Sequence, residues 1–81
     1  YQVEVWLDTT LGYAQHVVAP TYGRVEEQDG GVMFRCQLDD LDNVARYIVN
    51  LGVPFRVIQP DELRAAFARL ASELAAVATA G

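Results

Sequence analysis

Three arginines, a tryptophan and a tyrosine carry the chemistry this sequence can offer. Trp6, Tyr22, Arg24, Arg35 and Arg56 fall at alternate positions of strand-like segments, and alternate positions of a strand share one side of a sheet. Glu4, Glu26, Met33, Gln37 and Ile58 fall on the same side by the same count. Guanidinium groups fork onto phosphates, and aromatic rings stack on bases at about 1–3 kcal/mol each. Such a face suits single-stranded nucleic acid or a small ligand. Trp, Tyr, Met and Arg are also the residues enriched in the cores of protein interfaces, and Glu4 and Glu26 can pair with the arginines. The face therefore reads as a contact surface for another chain, as a ligand platform, or as a merely solvated sheet. A dimer that builds its site between two chains would be the first two at once.

The other reactive side chains are isolated. His16 has no Ser, Cys or carboxylate at a catalytic spacing and reads as a surface or helix-packing histidine. Cys36 falls on the inward side of its strand and reads as a small core residue. Asp39, Asp40 and Asp42 lack the Gly-punctuated loop of a calcium site, and read as the charged start of a helix. With no nucleophile–base pair, metal set or phosphate loop, neither enzyme activity nor a cofactor is expected.

The segments that must position the arginines are legible from periodicity. Gln2–Asp8 alternates, with Val3, Val5 and Leu7 inward. Asp8 or Thr9 can cap a short helix over 10–18, with Leu11, Ala14, Val17 and Val18 at helical spacing, ended by Pro20. Residues 21–27 form a second strand with Val25 inward and Tyr22, Arg24 and Glu26 outward. Asp29-Gly30-Gly31 supplies a hairpin turn. A third strand follows, with Val32, Phe34, Cys36 and Leu38 inward and Met33, Arg35 and Gln37 outward.

Leu41, Val44, Ile48, Val49 and Leu51 then recur at helical spacing, and Gly52 is a natural stop. Phe55–Gln59 is a short fourth strand, with Phe55 and Val57 inward. Pro60-Asp61-Glu62 opens a last helix whose Leu63, Phe67, Leu70, Leu74 and Val77 make one apolar stripe. The stripe reads as core, with a length that leaves room for docking on a partner chain. The order β-α-β-β-α-β plus a terminal helix predicts an α+β ferredoxin-like sandwich: a four-stranded antiparallel sheet, order 4-1-3-2, with helices on one face. Trp6 and Arg35 then lie mid-sheet, flanked by Arg56 and Arg24.

Bulk properties set outer limits. Eighty-one residues make one small domain, 1–81, with 52% hydrophobic and 21% charged residues. The net charge of −5, from eleven acidic residues against six arginines and no lysine, argues against nonspecific duplex DNA binding. No apolar run approaches the roughly 18 residues of a membrane span, and a single cysteine excludes an internal disulfide and fits a reducing, cytoplasmic compartment. The chain opens at Tyr1 in strand-like sequence, so it is expected to be a fragment of a longer protein.

The run Gly52-Val-Pro-Phe-Arg-Val-Ile-Gln-Pro-Asp-Glu-Leu-Arg64, a strand ending in Pro-Asp-Glu-Leu-Arg and opening a long helix, follows Asp-Gly-Gly and an alternating strand. This arrangement resembles the WCX domain, the C-terminal extension of bacterial WYL-domain transcriptional regulators, from Val3 to about Val77. The resemblance implies a regulator whose N-terminal winged helix, outside this sequence, would meet operator DNA. It also implies a WYL domain of the same or a partner chain, and a homodimer in which this extension helps sense an effector, single-stranded nucleic acid in some members. Two departures stand out: Val5-Trp6 where the first strand often carries an arginine, and Pro20-Thr21-Tyr22-Gly23 where a Trp or His is common. The alternatives are a small-molecule-binding, ACT-like domain, for which Thr9-Thr10-Leu11-Gly12 is a weak signal, and an oligomerisation domain without a ligand.

Overall fold

The computed structural model describes residues 1–80. Its elements are β1 (Gln2–Leu7), α1 (Leu11–Val17), β2 (Arg24–Gln28), β3 (Gly31–Gln37), α2 (Leu41–Asn50), β4 (Phe55–Gln59) and α3 (Asp61–Thr79). The strands form one antiparallel sheet in the order β2-β3-β1-β4. This is the expected ferredoxin-like α+β sandwich with an added C-terminal helix.

One side of the sheet and three helices share a single core. Val3, Val5 and Leu7 of β1 and Val32 and Phe34 of β3 are buried against Ala14 and Val18, against Val44, Ala45 and Ile48 of α2, and against Leu63, Ala66 and Leu70 of α3. The two central strands thus supply the floor and the helices the cover. Phe34 is the largest fully buried side chain, and truncating such a residue to Ala costs about 3–5 kcal/mol.

Local signals set the helix ends. Thr10 caps α1, its hydroxyl accepting from the Tyr13 N–H at 3.2 Å. Asp40 caps α2, its carboxylate accepting from the Asn43 N–H at 3.1 Å. Gly52 follows α2 at φ 76°, a left-handed position where glycine carries no Cβ penalty. The hairpin turn is confined to Asp29 (φ 53°) and Gly30 (φ 77°), the two positive angles of a two-residue turn. Gly31 is already the first residue of β3.

Three expectations shift. α1 is shorter than 10–18, spanning Leu11–Val17. β2 starts at Arg24 rather than at residue 21, because the Tyr22 and Gly23 amides both turn back to the Ala19 carbonyl. On α3 the apolar stripe is buried only through Leu70, with Phe67 half-buried; Leu74 is 51% and Val77 70% exposed. Helical periodicity identifies a face, but a face is buried only as far as its neighbour extends.

α2 and α3 run in the same direction and are bridged on their outer side. Arg69 reaches Asp42 at 2.8 Å and Arg46 reaches Glu73 at 2.5 Å. All four groups are more than half exposed, so each rung is worth at most about 1 kcal/mol. No helix among the described residues is long and apolar enough to cross a membrane.

Candidate functional site

The sheet face away from the helices is organised by Trp6. Its Nε1 donates to the Gln28 carbonyl at 2.9 Å, tying β1 across β3 to the end of β2. The indole lies where a side chain at Gly31 would have been: a Cβ there would sit 2.4 Å from the Trp6 ring. Met33, in register with Trp6 on one side and Glu26 on the other, is only 4% exposed although it points away from the helices. Arg56 is the cross-strand partner of Trp6 on β4, and its guanidinium carbon lies 5.5 Å from the indole centroid. That is cation–π range.

Arg35, mid-face on β3, is surrounded by acceptors. Its Nε donates to Glu4 Oε2 at 2.7 Å, Nη2 donates to Gln28 Oε1 at 3.3 Å, and Nη1 pairs with Glu26. The register explains the cluster. Glu4 stands opposite Arg35 on β1, while Glu26 and Gln28 follow on β2 from Arg24, its partner on the other side. The charge of Arg35 is therefore balanced within the chain.

Arg24 differs. It stands directly opposite Arg35, yet no carboxylate reaches it among the described residues. Arg56 likewise has no ion pair there, only the face of Trp6. Of the expected group, Trp6, Arg35 and Arg56 are brought together on the central and β4 strands, and Arg24 sits at the opposite flank. Ile58 does not keep strict alternation. Glu4 pairs with Gln59 and Val5 with Val57, so Ile58 is the extra residue of a bulge.

Tyr22 is the correction. Expected to face outward from the second strand, it instead precedes β2 and turns its ring to the helix side. It stacks on Tyr47 of α2 at 3.8 Å and 7° and lies 6.3 Å from Phe34. Its hydroxyl is buried without a hydrogen-bond partner among the described residues. Burial pushes the Tyr22 phenol pKa up, with Cys36, Tyr47 and Asp40 adding to the effect. Tyr22 is thus absent from the outward face, which has one aromatic anchor, Trp6.

The remaining candidates take structural positions. His16 is exposed on α1. Cys36 is half-buried beside the core, and burial raises its thiol pKa. Asp40 caps α2, Asp42 holds Arg69, and Asp39 is exposed between β3 and α2.

One surface escaped the sequence reading. Phe55 stacks on Phe67 at 4.9 Å, and together with Val49, Val57, Leu70 and Leu74 they line an apolar groove of about 560 Å³ between β4 and α3. Phe55, expected inward, stays 36% exposed because β4 is an edge strand. The apolar residues were visible individually, but their gathering depends on where α3 crosses β4.

No curated protein and no solved structure matched the chain. The family model of the WCX domain matches residues 1–75. The same run contains every strand and most of α3, and the chain belongs to the WCX domain family.

Proposed function

We propose that this chain is the C-terminal regulatory module of a bacterial WYL-type transcriptional regulator. In this reading it senses an effector of the single-stranded nucleic acid class and helps to hold a homodimer; it is not an enzyme. Family membership makes it a module of WYL-type regulators. The effector reading is supported by one observation above the others: Trp6 and Arg56 form a cation–π pair on an outward face, and among the described residues neither Arg56 nor Arg24 has a carboxylate partner. A base stacking on Trp6 and phosphates meeting the two free guanidinium groups would use groups that the fold leaves uncommitted. Arg35 contributes less, since Glu4 and Glu26 already hold it. Effector bound across this face, or at its seam with the WYL domain, favours one dimer arrangement and so alters operator affinity at the winged helix.

Homodimerisation is supported by a different surface. Val49, Phe55 and Leu74, three of the large exposed apolar side chains, line the groove between β4 and α3. Contiguous apolar surface of this kind marks contact sites.

The test uses Trp6, the chain's only tryptophan. A short single-stranded oligonucleotide is titrated at low and high salt while Trp fluorescence is followed. Saturable quenching that weakens with salt supports the effector reading, since phosphate contacts release counterions. A flat titration, with emission already blue-shifted and dependent on protein concentration, rejects it and leaves a dimerisation element.

A further inference from the structure

We infer that the corner of the sheet where β2 ends is a binding site for a small organic carboxylate, with Arg24 as its anchor. β2 pairs with β3 only as far as Arg24 opposite Arg35, whereas β3 continues to Gln37, paired with Gln2 of β1. Past Arg35 the β2-facing edge of β3 therefore has no strand partner, and its peptide groups on that side are free to meet a ligand. The 20–23 loop forms the opposite wall of the cleft. Gly23 lets that loop approach, because a Cβ there would lie 2.6 Å from the Phe34 ring and 2.8 Å from the Arg35 carbonyl. The resulting notch holds about 540 Å³, within the range of small-molecule sites.

Its lining has two characters. Tyr22 and Cys36 offer apolar surface, and Gln2, Thr21 and Gln37 offer amide and hydroxyl groups. Its charged lining residues are Arg24, Arg35 and Glu4. Glu4 and Glu26 are both spent on Arg35, which leaves Arg24 the guanidinium of the notch without a carboxylate partner among the described residues, in a chain of net charge −5. A carboxylate forked on Arg24 would meet it through two parallel charge-assisted hydrogen bonds. An aromatic or branched body would lie against Tyr22 and Cys36. The notch does not depend on the nucleic-acid reading, whose anchor is Trp6.

Benzoate and its neutral isostere benzamide are the probes. Amide ¹H–¹⁵N spectra of the chain are recorded while each is titrated. Benzoate is expected to shift the Arg24, Cys36 and Gln37 amides together and saturably. Benzamide should bind at least tenfold more weakly, and R24Q should cost benzoate at least tenfold while the remaining spectrum stays folded. R56Q should leave benzoate binding unchanged. Equal binding of the two probes, shifts centred on Arg56, or an unaltered titration in R24Q overturns the assignment. A failed oligonucleotide titration at Trp6 would leave it standing.

Discussion

The rings of Tyr22 and Tyr47 lie 3.8 Å apart and within 7° of parallel, and their hydroxyls meet opposite fates. The Tyr47 hydroxyl accepts from the Ala19 N–H at 3.1 Å, joining α2 to the loop before β2. The Tyr22 hydroxyl is buried with no partner among the described residues. A net hydrogen bond is worth about 1 kcal/mol, and an unsatisfied buried hydroxyl carries a desolvation cost of similar size. Y47F should therefore destabilise by about 1 kcal/mol, whereas Y22F should be neutral or stabilising by a similar amount. Urea midpoints of both variants decide it; a loss in Y22F equal to that in Y47F would mean the Tyr22 hydroxyl has a partner in solution.

That pair also marks where the sequence stops being readable. Alternation in Val3, Val5 and Leu7, and in Val32, Phe34 and Cys36, gave the facing of the two central strands, because hydrogen-bonded partners on both sides hold them to strict period two. Tyr22 broke the rule because it lies in the turn from Ala19 and not in a strand, so strand parity says nothing of its direction. Glu4 and Glu26 were visible as partners for some arginine. That both choose Arg35 and leave Arg24 bare follows from cross-strand register, a relation between segments far apart in sequence. Gly31 looked like part of the turn, and only the placement of the indole reveals that its missing side chain makes room for Trp6.

The glycines make a graded test of that packing. At Gly31 a Cβ would meet the Trp6 ring at 2.4 Å and the Leu7 carbonyl at 2.6 Å. Overpacking of this kind costs about 1–3 kcal/mol, so G31A should destabilise and also shift Trp6 emission as the indole is displaced. Gly12, inside α1, has nothing within 4 Å of a new Cβ. G12A should therefore stabilise by about 0.5–1 kcal/mol through helix propensity. Thermal melts with parallel fluorescence spectra check both, and an unmoved emission maximum in G31A would contradict the contact.

Alkaline pH should weaken the fold through two acids on its helix side. The Tyr22 phenol and the Cys36 thiol both have raised pKa values, burial being the leading cause in each case. The folded state therefore prefers their neutral forms. That preference contributes fully below the ordinary values of about 8.5 for a thiol and about 10 for a phenol. It is lost as pH rises through these values to the raised ones, where the unfolded chain releases protons more readily. Urea midpoints should begin to fall above about pH 8.5 and fall further above about pH 10, with C36S flattening the lower part of the fall and Y22F the upper. A midpoint independent of pH across that window in the unsubstituted chain would contradict the burial of both groups.

The two carboxylates on Arg35 give the sharpest handle on the effector reading. Glu4 and Glu26 neutralise the central guanidinium of the outward face, and both substitutions in E4Q/E26Q preserve side-chain shape while freeing it. If phosphates approach this face, Arg35 gains a role that it lacks in the unsubstituted chain. Oligonucleotide affinity should rise, and its salt dependence should steepen by about 0.7 in log–log slope for one added phosphate contact on a single strand. General electrostatics alone would act through the change in net charge from −5 to −3, so a control with equal charge change is needed. D8N/E62Q provides it, since neither residue holds an arginine among the described residues. A rise shared equally by the two double variants would reduce the effect to net charge. A rise confined to E4Q/E26Q, lost again on adding R35Q, would locate the phosphate at the centre of the sheet.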